Sequence, residues 1–232
     1  LEQHQVKATV VVFGSARFIP RQQAEKMFAD ASTELTLYPN AEDLQQQLKI
    51  AERQLKNSSY YEAAAEFSRI VTEHSKSCPE ASLMIISGGG PGVMEAANKG
   101  AYEAGGQSIG LNIVLPHEQK PNPYITPEFC FRFHYFAIRK MHFLMRAQVI
   151  CIFPGGFGTL DEMFESLTLI QTGRMSRVPF ILFGSAWWNK VINWQALADA
   201  GVIAQQDLDL FQIVDTAEQA MAAIDAWPKG QV

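Results

Sequence analysis

A doubly wound α/β fold is predicted, in which a parallel sheet of about seven strands carries helices on both faces within one domain. Three observations predict it. Short apolar runs rich in β-branched and aromatic residues recur along the chain, each closed by a glycine or small residue and followed by a helix-like segment. These runs lack strict apolar–polar alternation, which marks strands buried on both faces, as in a helix-covered parallel sheet. The length of 232 residues, with 47% hydrophobic and 19% charged side chains, suits one domain with a sizeable core, residues 1–232, without a second.

Taken in order, the first strand falls at 9–13, ahead of Gly14-Ser15-Ala16-Arg17. The crossover that follows, up to Ser82, is unusually long and reads as a helical insertion at about 19–57. Within it Asn40 can cap a helix whose apolar residues Leu44, Leu48, Ala51 and Leu55 form one narrow stripe. Asn57-Ser58-Ser59 interrupts that helix, and Ser59 with Glu62 makes a capping-box pattern that opens a second helix through about His74. The first helix is read as packing or oligomer-contact surface rather than a lid.

The second strand, 83–86, leads into Ser87-Gly88-Gly89-Gly90-Pro91-Gly92, a helix entrance with Pro91 near its first position. Strands follow at 108–113 and 129–133, then a helix carrying Arg139, Lys140 and His142. A strand at 149–153 runs into Pro154-Gly155-Gly156-Phe157-Gly158-Thr159-Leu160-Asp161-Glu162 and a helix-like segment at 163–170. Runs at 178–183 and 211–214 complete the sheet. In such folds ligands gather at the carboxyl ends of strands, where the three glycine-bearing turns converge.

Several function classes are excluded. A net charge of −5 argues against nonspecific nucleic-acid binding, which needs clustered Lys and Arg. No apolar run approaches the length of a membrane span, and no secretory leader is visible. Cys78, Cys130 and Cys151 are widely spaced, as buried free thiols in a reducing cytoplasm would be, and the five histidines show no paired metal-site spacing. A partly exposed structural role suits His142. Leu1 is not a start methionine, so residues are expected to precede it. A nicotinamide site needs G-x-G-x-x-G after the first strand, which Gly14 does not open.

The turn at Gly155, Gly156 and Gly158 builds an anion cradle, because uncovered N–H groups at a helix start favour a phosphate. Glu162 lies within one turn of it. A carboxylate beside a bound anion raises the electrostatic cost and so asks for a reason. Thr159-Leu160-Asp161-Glu162 also has the form of a capping box, with Thr159 at the N-cap and Glu162 at N3, which supplies a structural alternative. For Arg139 the alternative is a solvated helix face shared with Lys140 and Arg146. Gly88, Gly89, Gly90 and Gly92 form either a second phosphate-facing helix entrance or a tight strand-to-helix turn. Gly14 and Ser15 either present a hydroxyl to a ligand or close a turn. Met94 and Asn112 either border a base or ribose or serve packing.

These motifs resemble the Lonely Guy (LOG) family of nucleoside 5'-monophosphate phosphoribohydrolases, often mislabelled as lysine decarboxylases. The family pattern PGGxGTxxE is met at every fixed position from Pro154 to Glu162, with Arg139-Lys140 upstream. Supporting matches are Gly14-Ser15-Ala16-Arg17, the segment from Gly88 to Ala97, and Gly110-Leu111-Asn112-Ile113 followed by Leu115-Pro116. One departure stands out: about forty residues separate the Gly-Ser-Ala-Arg loop from Tyr60-Tyr61-Glu62, where relatives have a few.

The resemblance implies hydrolysis of the bond between base and ribose 5-phosphate in AMP or an N6-modified AMP such as a cytokinin riboside monophosphate. It implies Arg139 and Glu162 as the catalytic pair, with Gly14, Ser15, Gly88, Gly89, Gly90, Gly92, Met94, Asn112, Lys140, Gly155, Gly156, Gly158 and Thr159 around substrate and phosphate. No metal or organic cofactor is implied. A cytoplasmic homodimer is, with the helix after Glu162 and Gln171-Thr172-Gly173-Arg174 as interface. The alternative is a non-catalytic carrier of a nucleotide or of the molybdenum cofactor. Lysine decarboxylation has no recognisable Schiff-base lysine with pyridoxal phosphate partners.

Overall fold

A computed structural model describes residues 6–78, 82–114 and 120–228. Leu115-Pro116 lies outside the described residues. Seven parallel strands form one sheet in the order β4-β3-β2-β1-β5-β6-β7. They are β1 (Thr9–Phe13), β2 (Met84–Ser87), β3 (Ser108–Ile113), β4 (Cys130–Phe133), β5 (Ala147–Ile152), β6 (Phe180–Phe183) and β7 (Gln212–Val214). All seven expected strands are present. The chain builds outward from β1 to β4, then returns to lay β5 on the other side of β1, so the order reverses between β1 and β5. Crevices at such a reversal, outside the carboxyl ends of the strands, are where open α/β sheets bind ligands.

Burial on both faces is visible in the strand residues. Val10, Val12, Val149, Cys151 and Phe153 face one layer, completed by α2 (Glu42–Ser77), α3 (Val93–Glu103) and α8 (Ala217–Asp225). Val11, Phe13, Ile150 and Ile152 face the other, completed by α4 (Phe136–Leu144), α5 (Phe157–Gln171) and α6 (Ser185–Val191). The short α7 (Trp194–Asp199) follows α6. No helix among the described residues is long and apolar enough to cross a membrane.

The long crossover corrects three expectations. It contains α1 (Arg21–Leu37), a helix absent from the sequence reading, which packs on the first half of α2 through Ala24 and Ala31. Asn40 lies in the turn between the two helices, and the N-cap of α2 is Ala41. Nor does Asn57-Ser58-Ser59 break α2, which runs unbroken for 36 residues, about 54 Å. Ser58 and Ser59 turn their hydroxyls back to the carbonyls of Leu55 and Lys56, at 2.7 and 3.0 Å, so they satisfy themselves without leaving the helix. Burial of Ser58, Tyr61, Ala64, Phe67, Ser68 and Val71 at three- and four-residue steps shows why tertiary packing overrides the local break signal. The Ser59–Glu62 capping box is therefore absent. Glu62 instead accepts the Arg21 N–H at 2.9 Å and caps α1 from across the hairpin, while Gln54 Nε2 donates to the Arg17 carbonyl at 3.0 Å.

The three cysteines are free, but only Cys151 is buried; Cys130 is half-buried and Cys78 exposed. Cys151 lies on the fully covered strand β5, whereas Cys130 is on the edge strand β4 and Cys78 ends α2. His142 is partly exposed on α4, its ring 5.3 Å from that of Phe133.

Candidate active site

The loops after β1, β2 and β5 meet at the reversal point. Ser15 is the stitch between them: its N–H donates to the Pro154 carbonyl at 3.0 Å, and its own carbonyl accepts the Val93 N–H at 3.0 Å. The Ser15 hydroxyl oxygen accepts the Arg17 N–H at 3.1 Å, closing the turn. Gly14 packs against Val93. Gly92 is the N-cap of α3 with φ of +72°, and a side chain there would strike the Ser15 carbonyl, so glycine is required twice over. Pro91 consequently sits one residue ahead of the cap rather than at the first helical position.

Helix α5 begins earlier than its sequence suggests. Gly156 is the N-cap and Phe157 the first helical residue. Thr159 is thus at N3, not at the cap, and its buried side chain fills the space a Cβ on Gly155 would need. Glu162 falls a turn further along, with no capping function. The capping-box alternative is overturned because the glycines let the chain turn helical three residues sooner. The N–H groups of Phe157, Gly158 and Thr159 precede the first intrahelical bond, from Leu160 N to Gly156 O at 3.0 Å. Positions 156 and 158 face open space, and Phe157 is 93% exposed. An anion has both donors and room here.

Glu162 points instead at Arg139 on α4. Arg139 Nη2 donates to Glu162 Oε1 at 3.1 Å, with side-chain exposures of 10% and 14%. This is not a solvated helix face. The guanidinium lies 5.2 and 5.5 Å from the ring centroids of Phe136 and Phe143, which share its side of α4. Arg139 Nε is buried without a partner among the described residues. Nη1 lies beside Gly88, against which the Met94 thioether also packs.

Burial pushes the Glu162 carboxyl up to about 7; the Arg139 charge opposes that shift and Asp161 adds to it. Burial also lowers Arg139, though a guanidinium remains charged throughout the physiological range. A carboxylate poised near neutrality beside a fixed cation is suited to proton exchange at physiological pH.

Not every expected residue joins this cluster. Lys140, expected beside substrate, extends to α5 and binds Asp161 at 3.0 Å and Glu165 at 2.8 Å, so its charge is already matched. Asn112 is buried against Gly89 and donates weakly to the Cys130 sulfur at 3.6 Å. Sequence reasoning missed the Ser15 stitch, which depends on long-range contacts, and the aromatic walls of Arg139, which the spacing Phe136, Arg139, Phe143 could have revealed.

A model of the family described as "Possible lysine decarboxylase" matches residues 94–224. A bifunctional cytokinin biosynthesis protein of Fusarium pseudograminearum is 26% identical over 189 residues, 73% of this chain but 37% of that one. The chain thus spans little more than a third of that relative. A cytokinin riboside 5'-monophosphate phosphoribohydrolase of Arabidopsis thaliana is 20% identical over 175 residues, 74% of this chain and 77% of its own. In fold, the molybdenum cofactor binding protein of Rippkaea orientalis is similar with a TM-score of 0.58 at 15% identity, covering 96% of this chain and 98% of that one. With more than half of its length matched by the family model, and with the glycine turn and Arg139–Glu162 pair in place, the chain belongs to the possible lysine decarboxylase family, the Lonely Guy (LOG) family.

Proposed function

We propose that the chain hydrolyses the N-glycosidic bond of purine nucleoside 5'-monophosphates, AMP or N6-modified AMP, to free base and ribose 5-phosphate. The observation that carries this reading is the buried Arg139–Glu162 pair beside an open glycine cradle at the sheet's reversal point. Phosphate occupies the first-turn amides of α5 and the ribose lies over Glu162. As the C1'–N bond breaks, its electron pair leaves with the base, and Glu162 stabilises the cationic sugar and takes a proton from the water that attacks C1'. Arg139 stabilises the departing base or substrate oxygens through its Nε–H, which has no partner among the described residues.

Decarboxylation of lysine through pyridoxal phosphate fits poorly at Lys140. A Schiff-base lysine must become a neutral amine, whereas the hydrogen bonds Lys140 donates to Glu165 and Asp161 hold it above its ordinary value.

The rate should report Glu162. Because the carboxylate acts ionised, kcat/KM is expected to rise with pH, with its midpoint near 7 rather than in the usual carboxylate range. Asp161→Asn removes a charge that raises Glu162, so the midpoint should move to lower pH. A limb due to the substrate's own phosphate would stay where it is in that variant.

The assembly is part of the same reading. Phe136, Ile138 and Met141 on α4, its flanking cap residues Tyr135 and Met145, and Phe164 on α5 are exposed. Beside them runs a groove of about 530 Å³ that includes Met141, Met145, Leu169, Arg174 and Met175 but neither Arg139 nor Glu162. A second copy packed on this face gives a homodimer.

The test is incubation of the purified chain with AMP, GMP, CMP and isopentenyl-adenosine monophosphate, with detection of free base and sedimentation of the same sample. Base released from the adenine nucleotides by a species of twice the chain mass is the expected result. Tight nucleotide binding with no base released from any of them would favour a carrier, and an active monomer would remove the dimer.

A further inference from the structure

Behind the 88–90 turn lies a polar network that the proposed reaction does not use. Asn98, on α3, is fully buried and uses its whole amide. Its Oδ1 accepts from Ser87 Oγ at 2.7 Å and Asn122 Nδ2 at 3.0 Å; its Nδ2 donates to Ser108 Oγ at 2.9 Å and, longer, to the Ile109 carbonyl at 3.3 Å. Two lone pairs and two N–H groups are the full capacity of an asparagine side chain.

Asn122 transmits this anchorage to the turn. Its backbone N–H donates to the Gly89 carbonyl at 2.9 Å, and its Nδ2 donates to the Gly90 carbonyl at 3.1 Å. The Oδ1 accepts the Tyr124 N–H at 3.2 Å, which fixes the amide's orientation. Pro121 and Pro123 on either side restrict the backbone that carries it. The Gly89 and Gly90 carbonyls are therefore drawn to the buried side. The Gly89 N–H is taken by Ser87 Oγ at 3.1 Å.

One donor is left. The peptides are trans, so the Gly90 N–H points opposite to the Gly89 carbonyl that Asn122 holds. Gly90 is buried, yet its N–H has no partner among the described residues. A buried, unpaired backbone donor is rare and expects an acceptor. The turn that carries it lies between Arg139, beside Gly88, and Ser15, beside Gly92.

We propose that Asn122, held by Asn98, is a positioning residue that aims the Gly90 N–H at an oxygen of the substrate's ribose 5-phosphate half. This rests on the phosphoribohydrolase reading and adds to it a determinant of substrate affinity outside the motif.

Asn122→Asp preserves the acceptor for Tyr124 N and the backbone bond to Gly89 but loses the Nδ2 donor to Gly90 and Asn98 and sets a carboxylate against those two oxygens, freeing the turn to shift. With folding verified by circular dichroism, KM for AMP is expected to rise about tenfold or more while kcat changes less than about threefold. Amide hydrogen exchange across 86–94 should quicken. If Asn122→Asp does not fold, Asn122→Ser, which keeps one donor and adds no charge, takes its place. A merely structural role would reduce active protein and leave KM alone. A folded variant with KM within twofold of wild type, or with unchanged exchange, overturns the proposal. Should the wild-type chain release no base, that result fails the hydrolase reading by itself, and calorimetry with AMP becomes the measure. Tenfold weaker binding by the variant then sustains the positioning role, and equal binding, or none by wild type, overturns it.

Discussion

Glu162→Gln is expected to lower base release by roughly a thousandfold or more while leaving the fold intact. The substitution is close to isosteric, and the amide oxygen can still accept from Arg139 Nη2 at the 3.1 Å now occupied by the carboxylate. Helix α5 should not notice the change, because its cap is Gly156 and Glu162 is outside the first turn. What the variant loses is the charge that faces a cationic sugar and the site that takes the water's proton. It should therefore bind AMP and fail to turn it over, with the loss in kcat rather than KM. The neutral-pH limb of the rate profile should vanish with the group that produces it. Release of base by Glu162→Gln at the wild-type rate would reduce Glu162 to a structural partner of Arg139.

How far the sequence carried this site depends on the range of the interactions. Strands were legible because a strand buried on both faces is written locally, as at Val10-Val11-Val12 and Val149-Ile150-Cys151-Ile152. The turn at Gly155 was legible for a similar reason, since a side chain there would collide with Thr159 of the same turn, whereas at Gly92 the collision is with Ser15 and Ala16 of a different loop. Helix ends were not. Asn40, Ser59 and Thr159 each carry a capping side chain, and none caps a helix, because the long-range burial of α2 and the backbone turn at Gly156 decide the boundaries. Arg139 was legible as a residue but not in its environment. Its exposure depends on Phe136, Phe143 and Glu162 closing around it from two helices, and Lys140, next in sequence, is turned by the helix toward a different set of carboxylates. The Asn98–Asn122 network was invisible, since nothing local distinguishes a buried hub asparagine from an exposed one.

Arg139→Lys tests geometry with charge preserved. The guanidinium is a planar fork that meets Glu162 with Nη2, lies against Phe136 and Phe143, and still has Nε, without a partner among the described residues, to offer a substrate atom. An ammonium is a point charge; drawn to Glu162, it cannot also present a second donor at a fixed angle to the departing base. A fall in kcat/KM of about a hundredfold to a thousandfold is expected. The variant should also acquire a pH dependence that wild type lacks. Burial disfavours a charged lysine, so its amine should lose its proton well below the ordinary value, and activity should decline again on the alkaline side. Arginine stays charged there, which leaves the wild-type profile flat above its rise near 7. An alkaline decline in Arg139→Lys, absent from wild type, identifies residue 139 as the cation the reaction needs. Wild-type rates in a folded Arg139→Lys variant would show that position 139 supplies charge alone. Full activity in Arg139→Met as well would remove it from the reaction altogether.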